Sequence, residues 1–446
     1  MMTKKWQPYP TYKDSGVEWL GAIPEHWKVK KLKYLAKINL SNVDKKSNEN
    51  EDTVKLCNYV DVYYNDYITK EIDFLIATAS HEQKQKFALK KGDVLLTKDS
   101  ETWDDIAVPA CVANDLDNVI CGYHLAHIRP YQDRAIGEYI FRSISSTRLK
   151  EQFWVAANGV TRFGISKSSI SDALLLEPPV SEQQKIAEFL DQETSKIDKL
   201  ITKKERLIEL LKEKRTALIS HAVTKGLNPD VPMKDSGVEW LGEVPEHWEN
   251  WKISHAFQKI GSGTTPSTNR YDYYDGDVPW INTSELRENI ITDTSVKITN
   301  KALLDNSVLN LYSPGTLLIA MYGATIGRLG ILGITACTNQ ACCALANPIL
   351  LDTKFVFYWL WMRRNELIIL SSGGGQPNIN QEKIRSIKIP APPLPEQQKI
   401  AEFLDRETSK IDNLITKTRT SIDHLKEYRT ALISAAVTGK IDVRDH

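Results

Sequence analysis

The 446-residue chain contains part of itself twice, and no other feature limits its possible folds as strongly. Lys13–Trp27 (KDSGVEWLGAIPEHW) returns as Lys234–Trp248 (KDSGVEWLGEVPEHW), with 13 of 15 positions identical. Glu182–Leu227 returns as Glu396–Ile441, with 33 of 46 positions identical. The segments between them, 28–178 and 249–391, barely resemble each other. The repeat distance is far longer than the ~20–50 residues of a solenoid unit, so it marks a duplicated domain with its connector. A constant frame that carries two unlike inserts suits a protein presenting two different recognition surfaces in one geometry.

Six segments follow in order: a leader over 1–27, a variable domain over 28–180, a long helix over 181–225, a linker with the second leader over 226–248, a second variable domain over 249–394, and a second long helix with its tail over 395–446. Each leader places a glycine (Gly21, Gly242) ahead of Pro-Glu-His-Trp (Pro24–Trp27, Pro245–Trp248). So many aromatic residues beside a proline predict an irregular packed clamp, and packing outweighs catalysis as the role of His26 and His247. Within the variable domains, Gly92–Thr97 and Pro314–Ile319 each read as a turn followed by a short buried strand. Phe355–Leu370 has the length and apolar spacing of a core helix, and glycine-rich loops lie at Ala157–Val160 and Ser371–Pro377. Pro178-Pro179 and Pro392-Pro393 close the domains, because proline fixes φ and offers no N–H to a sheet.

The long helices show a heptad seam. Leu190, Ile197, Leu211 and Leu218 fall seven apart, with Lys204 at the missing step and Ile201, Ile208 and Ala222 as the companion row. Leu404, Ile411, Leu425 and Leu432, with Ile415, Ile422 and Ala436, repeat the pattern. Sustained heptads predict coiled-coil helices, each a rod of roughly 60 Å. Two equal stripes in one chain have each other as nearest partner. The fold class expected is therefore α+β: two α/β domains separated by an antiparallel pair of long coiled-coil helices, with pseudo-twofold internal repetition and the variable domains at opposite ends.

Catalytic machinery is scarce. The sequence holds no P-loop, no GxGxxG after a strand, no HExxH, no GxSxG and no Cys/His metal spacing. Gly261–Pro266 fits a DNA-contact loop or a plain turn, and lacks the lysine of a nucleotide site. With 57 basic and 57 acidic residues, the chain has no basic excess for indiscriminate polyanion binding, although local patches remain open to it. Cys57, Cys111, Cys121, Cys337, Cys342 and Cys343 show no framework spacing and read as reduced, buried thiols of a cytoplasmic protein. No apolar signal region follows Met1, and runs such as Leu317–Met321 and Leu367–Leu370 are too short to span a bilayer.

The repeat plan, the helix openings (Pro178-Pro179-Val180 with Glu182–Leu190; Pro392-Pro393-Leu394 with Glu396–Leu404) and the endings Arg215–Thr224 and Arg429–Thr438 resemble the specificity (S, or HsdS) subunit of Type I restriction–modification systems. The leaders match too, and so do Gly263–Ser267, Met321–Gly327, Thr338–Gln340 and Gly375–Asn380 of the second variable domain. The resemblance covers essentially the whole chain. The first variable domain departs from these internal motifs, with only Gly92–Leu95 and Gly159–Thr161 as echoes.

The resemblance implies a target-recognition domain in each variable segment, each reading half of a split site on double-stranded DNA. The helices then serve as a ruler for the unread gap; half-sites read from one side of a duplex repeat every roughly 34–36 Å. It further implies two methyltransferase (modification) subunits carrying S-adenosylmethionine, and endonuclease/translocase (restriction) subunits using ATP and Mg. This chain would hold no cofactor, meet no membrane and catalyse nothing itself. Two rival classes are a DNA-modifying enzyme with a cryptic active site and a coiled-coil protein adaptor. Base reading needs donors and acceptors on loops. The residues selected on that ground are Thr264, Thr265, Ser267, Arg270, Tyr322, Arg328, Gln340 and Gln376 in the second domain, and Lys98, Ser100, Trp103, Tyr123, Arg162 and Lys167 in the first.

Overall fold

The computed structural model describes residues 6–238, 241–369 and 378–445. The chain folds into two compact units, Met1–Glu205 with Arg419–His446, and Arg206–Thr418. Two long helices, Val180–Lys225 and Leu394–Val437, contribute to both. Each starts directly on its Pro-Pro step, one residue before Ser181 and Pro395. The Pro179 and Pro393 carbonyls accept the Glu182 and Glu396 N–H groups at 2.8 and 2.9 Å.

Within the first unit the opening of the first helix runs antiparallel to the end of the second. Lys185 Nζ donates to the Arg444 carbonyl at 2.6 Å, and Arg429 Nε to Asp198 Oδ1 at 3.0 Å. Within the second unit the order is mirrored: Arg215 pairs with Asp412 at 3.4 Å, and Gly226 lies against Glu396. The heptad rows are the buried ones. Leu190, Ile197, Ile208, Leu211 and Ala222 are covered, as are Leu404, Ile411, Ile415, Ile422, Leu432 and Ala436. Thr418 fills the polar step of the second helix. It is buried because its hydroxyl donates to the Leu414 carbonyl at 2.7 Å.

The two variable domains share one sheet plan. In the first, β1 (Ala36–Leu40), β3 (Tyr67–Ile68), β5 (Val94–Thr97), β6 (Pro109–Val112) and β8 (Leu125–Pro130) form a five-stranded sheet in the order β1-β8-β5-β6-β3. Beside it lie β2 (Asp52–Cys57), β4 (Leu75–Ala79) and β7 (Val119–Cys121), in the order β7-β2-β4. The second domain repeats this with β9 (Phe257–Ser262), β11 (Asn289–Ile291), β13 (Leu317–Ala320), β14 (Leu329–Leu332) and β16 (Cys342–Pro348), ordered β9-β16-β13-β14-β11. Its three-stranded partner is β15-β10-β12, from β10 (Tyr274–Ile281), β12 (Lys297–Ile298) and β15 (Cys337–Thr338).

Strand directions match pair by pair. In both large sheets the last pair is parallel and the other three antiparallel. The short apolar runs are explained by burial on both faces. Val94 and Leu96 join the core that includes Ile186, Leu190 and Leu432, whereas Leu95 turns to the core under the small sheet. Leu317 and Ile319 divide from Leu318 and Ala320 in the same way.

One expectation is corrected. The helix over Phe355–Leu370 is two helices, Thr353–Met362 and Arg364–Ile369, and Leu370 lies outside the described residues. The apolar run breaks at Arg363, whose guanidinium lies over the Trp359 ring at 4.7 Å.

The leaders form the clamp. Tyr12–Asp14 pairs with Ala22–Pro24, and Met233–Asp235 with Glu243–Pro245. Trp27 and Trp248 are buried behind them. Glu182 is the anchor: its Oε1 accepts from Tyr9 Oη at 2.6 Å and Trp27 Nε1 at 3.0 Å, and its Oε2 meets His26 Nε2 at 2.7 Å. Glu396 repeats this with His247 at 2.8 Å and Trp248 at 3.4 Å. The neighbouring glutamines tie each helix to its own domain. Gln183 bonds the Arg134 and Pro178 carbonyls and the Ile136 N–H; Gln397 bonds the Leu350 and Pro392 carbonyls and the Asp352 N–H. The recurring Glu-Gln thus serves tertiary contacts beyond helix initiation. Replacing Glu182 by alanine strands two buried donors and is expected to lower stability by about 1–3 kcal/mol for each. Urea denaturation checks this, and an unchanged midpoint would show that the carboxylate is dispensable.

Candidate nucleic-acid interface

Strand register brings the chosen loops of the second domain to one end of its sheet. Ser262 pairs with Cys343, Ala320 with Cys342 and Ile319 with Leu329. The segments that follow Ser262, follow Ala320 and precede Cys342 therefore leave together. A fourth segment is stitched to them: Ile379 N–H donates to the Met321 carbonyl at 2.9 Å, Tyr322 bridges Asn378, and Gln381 Nε2 donates to Ser262 Oγ at 2.8 Å.

On this end Thr265 Oγ1 donates to Gln340 Oε1 at 2.7 Å, and Thr264 accepts Trp280 Nε1 through its carbonyl at 3.1 Å. Ser267 is exposed, and its carbonyl accepts the Arg270 N–H at 3.1 Å. Arg270 is engaged locally: its guanidinium forks onto Asp272 at 2.8 Å through both nitrogens, and lies over Tyr273 at 4.5 Å. That fork raises its pKa. Tyr322 is exposed, and Arg328 is half-buried with an Nε that has no hydrogen-bond partner among the described residues. Gln376 and the rest of the Ser371–Pro377 loop lie outside the described residues. Within the Gly261–Pro266 stretch, the Gly263 N–H already donates to Thr338 Oγ1 at 3.0 Å.

The first domain builds the same end from unlike residues. Thr97 pairs with Leu125, Leu40 with Ala126 and Leu96 with Pro109. Asp99–Ser100 pairs with Phe163–Gly164, bringing Arg162 beside them. Two backbone hydrogen bonds align the domains residue for residue. Ile165 N–H donates to Lys98 O as Ile379 does to Met321 O, and Lys98 N–H to His124 O as Met321 does to Ala341 O. By this match Asp99 stands where Tyr322 does, Tyr123 where Gln340 does, and Lys167 where Gln381 does. Ser166 and Asn380 cap the two short helices alike.

Lys98 Nζ is 2.7 Å from Asp99 Oδ2 and 5.0 Å from the Tyr123 ring centroid. Trp103 is exposed and packs edge-on against Trp154 at 6.1 Å. Lys167 is exposed at the first position of its helix. Ser100 and Arg162 line a cleft of about 490 Å³ with Tyr59, Tyr63, Asp99 and Asp105. There the Asp105 carboxylate, accepting from Tyr63 Oη at 2.8 Å, pushes that phenol up to about 12. Burial works to raise the Asp99 pKa, and hydrogen bonds from Lys98 and His124 outweigh it and hold the carboxyl below its ordinary value.

Asp99, Tyr59, Tyr63 and His124 in the first domain, and Gln381 in the second, escaped the sequence reading. Their signal is positional and emerges only when the two sheets are aligned by hydrogen bonds. Chemically, both ends offer loop-borne donors and acceptors on a rigid sheet, which suits base-edge reading. All six cysteines are buried free thiols, and burial pushes Cys337 and Cys343 up to about 12, so they supply no nucleophile. Among the described residues no helix is long and apolar enough to cross a membrane.

The family described as Type I restriction modification DNA specificity domain matches residues 24–210 and 245–424. The chain is 24% identical over 428 residues to the putative type I restriction enzyme MjaX specificity subunit of Methanocaldococcus jannaschii, covering 95% of this chain and 96% of that one. Its fold is similar to a chain solved in work on complex assembly and conformational transition of the type I R-M system, with TM-score 0.73, 16% identity, and 94% and 99% of the two chains covered. It is also similar to the HsdS subunit from Thermoanaerobacter tengcongensis, with TM-score 0.59, 17% identity, and 94% and 98% covered.

A Cβ on Gly263 would lie 1.7 Å from the Thr338 carbonyl oxygen, so Gly263→Ala must force the loop off the sheet end. The expected loss is about 1–3 kcal/mol in chemical denaturation, as for other overpacked sites. A variant as stable as the parent would contradict this close approach.

Proposed function

The chain belongs to the Type I restriction modification DNA specificity family, and we propose that it is the non-catalytic subunit that reads DNA for a complex whose chemistry is done elsewhere. Each variable domain reads one half of an asymmetric bipartite site. The observation that carries this reading is the repeated sheet, one topology used twice with unlike side chains on the corresponding loop ends. Equal scaffolds with different edge chemistry select different base sequences.

In the second domain the contacts come from Thr264, Thr265, Ser267, Tyr322, Arg328, Gln340 and Gln376, with Arg270 reaching DNA only by leaving Asp272. In the first they come from Lys98, Ser100, Trp103, Tyr123, Arg162 and Lys167. The long helices fix the unread spacer and dock two modification subunits, which bring S-adenosylmethionine. Restriction subunits bring ATP and Mg, and the assembly works on double-stranded DNA in the cytoplasm.

Arg328→Ala, tested in the complex with its modification subunits, is expected to cost about 1–3 kcal/mol and to relax one position of the second half-site. Substitution of a lysine on a phosphate weakens all sequences alike and lowers the salt slope by about one. Binding isotherms on matched and single-mismatch duplexes at several salt concentrations separate the two. Unaltered affinity and preference in Arg328→Ala would misplace the second reading loop. The purified chain alone is expected to transfer no methyl group to DNA from S-adenosylmethionine, and measurable transfer would overturn its non-catalytic role.

A further inference from the structure

The turn between β7 and β8 of the first domain is pinned at every residue. Gly122 N–H donates to Cys57 O at 2.8 Å, Tyr123 N–H to Val43 O at 2.7 Å, and His124 O accepts Lys98 N–H at 3.0 Å. A Cβ on Gly122 would lie 2.7 Å from Cys57 O, so the turn has no slack. At its last position His124 holds φ at 72°, a region costly for a residue with a side chain. Backbone strain of this kind persists where the surroundings over-determine it, and it concentrates at functional sites.

The fold itself does not ask for histidine here. Ala341 occupies the matching place in the second domain, under the same backbone hydrogen bond to the neighbouring strand end. The side chain is nevertheless held firmly. His124 Nδ1 lies 2.6 Å from Asp99 Oδ2, an oxygen that also receives Lys98 Nζ at 2.7 Å. Asp99 is 19% exposed and the imidazole 30%. Arg162 Nη2 stands 3.5 Å from Nδ1, and the Tyr123 ring packs at 4.1 Å. A contact of 2.6 Å to a carboxylate oxygen places a proton on Nδ1, because two acceptors do not approach so closely. In the neutral ring Nε2 then carries a lone pair. No hydrogen bond within the described residues engages that atom.

We propose that His124 is a specificity-determining residue of the first variable domain, its Nε2 accepting a hydrogen bond from an exocyclic amino group, adenine N6 or cytosine N4, on a major-groove base edge. Asp99 is its positioning residue. Guanine O6 and N7 and thymine O4 are acceptors and repel a lone pair, so these bases are refused at that position. A phosphate is refused for the same reason. The inference rests on the reading of this domain as a DNA reader, and adds the residue and the base class.

The test uses the complex of this chain with its modification subunits and S-adenosylmethionine, acting on a library of DNA with randomised sites. Wild type is expected to methylate a motif with adenine or cytosine at one position of the first half that depends on His124. His124→Gly keeps the backbone conformation without strain. It is expected to relax that one position by roughly 5- to 150-fold, leaving the second half-site and the melting temperature unchanged. Duplexes with purine in place of adenine, or 2-pyrimidinone in place of cytosine, should weaken wild type and leave His124→Gly unaffected; the analogue that acts tells which amine is read. Should the glycine variant melt early, His124→Asn, also tolerant of the left-handed region, is scored by the same pattern.

Undiminished selectivity at every first-half position in a folded variant would overturn the histidine contact while the intact motif left the DNA-reading role standing. Relaxation at a position where neither amine-lacking analogue weakens wild type would overturn it too, as would a uniform loss with a shallower salt slope. A wild-type complex with no first-half preference at all would overturn both this contact and the reading on which it rests.

Discussion

An apolar stripe that runs the length of a helix must be covered, and neither long helix of this chain covers its own. The opening of one is covered by the close of the other, in each unit separately. Ile186, Leu190 and Ile197 share a core with Leu432, Ile433 and Ala436, and Ile219, Ala222 and Val223 share one with Ile400 and Leu404. Residues from both ends of the sequence therefore have to meet before the first unit is complete. The paired heptads and the repeated frame are two descriptions of this one requirement.

The frame reaches its domains through polar side chains, buried at Glu182, Gln183 and Gln397 and half-exposed at Glu396. Glu182 and Glu396 collect the indole and imidazole of each leader, and Gln183 and Gln397 collect backbone groups of each domain. Buried groups of this kind tolerate few partners, because each unpaired atom carries a full desolvation penalty. Asp191 and Asp405, which are more exposed, add a further tie in each unit, accepting from Tyr67 at 2.6 Å and from Tyr358 at 2.7 Å. Each sheet is thereby fixed to its helix, and the loops at the sheet ends carry unlike side chains in the two domains.

The frame was legible in the sequence because its signals are local. Heptad spacing, Pro-Pro steps and the Gly92 and Gly315 turns each occupy a few adjacent residues, and each corresponds to an observed helix start, seam or strand start. The shared topology of the variable domains was hidden, because it resides in pairings such as Thr97 with Leu125 and Ala320 with Cys342, which unlike side chains satisfy equally well. The candidate surface was legible in part. Glycine-rich loops pointed to Thr265 and Gln340, 75 residues apart yet hydrogen-bonded. They gave no warning that Asp272, two residues from Arg270, occupies its guanidinium. His124 was passed over beside Tyr123 because positive φ and a carboxylate partner 25 residues away leave no trace in a local pattern.

The central claim is that each variable domain reads its own half-site independently of the other. It is tested most directly by replacing residues 249–391 with a second copy of 28–178 and mapping the methylated adenines produced by the assembled complex. The account predicts a motif in which both halves carry the sequence read by the first domain. Retention of the original second half in the methylated motif would contradict it.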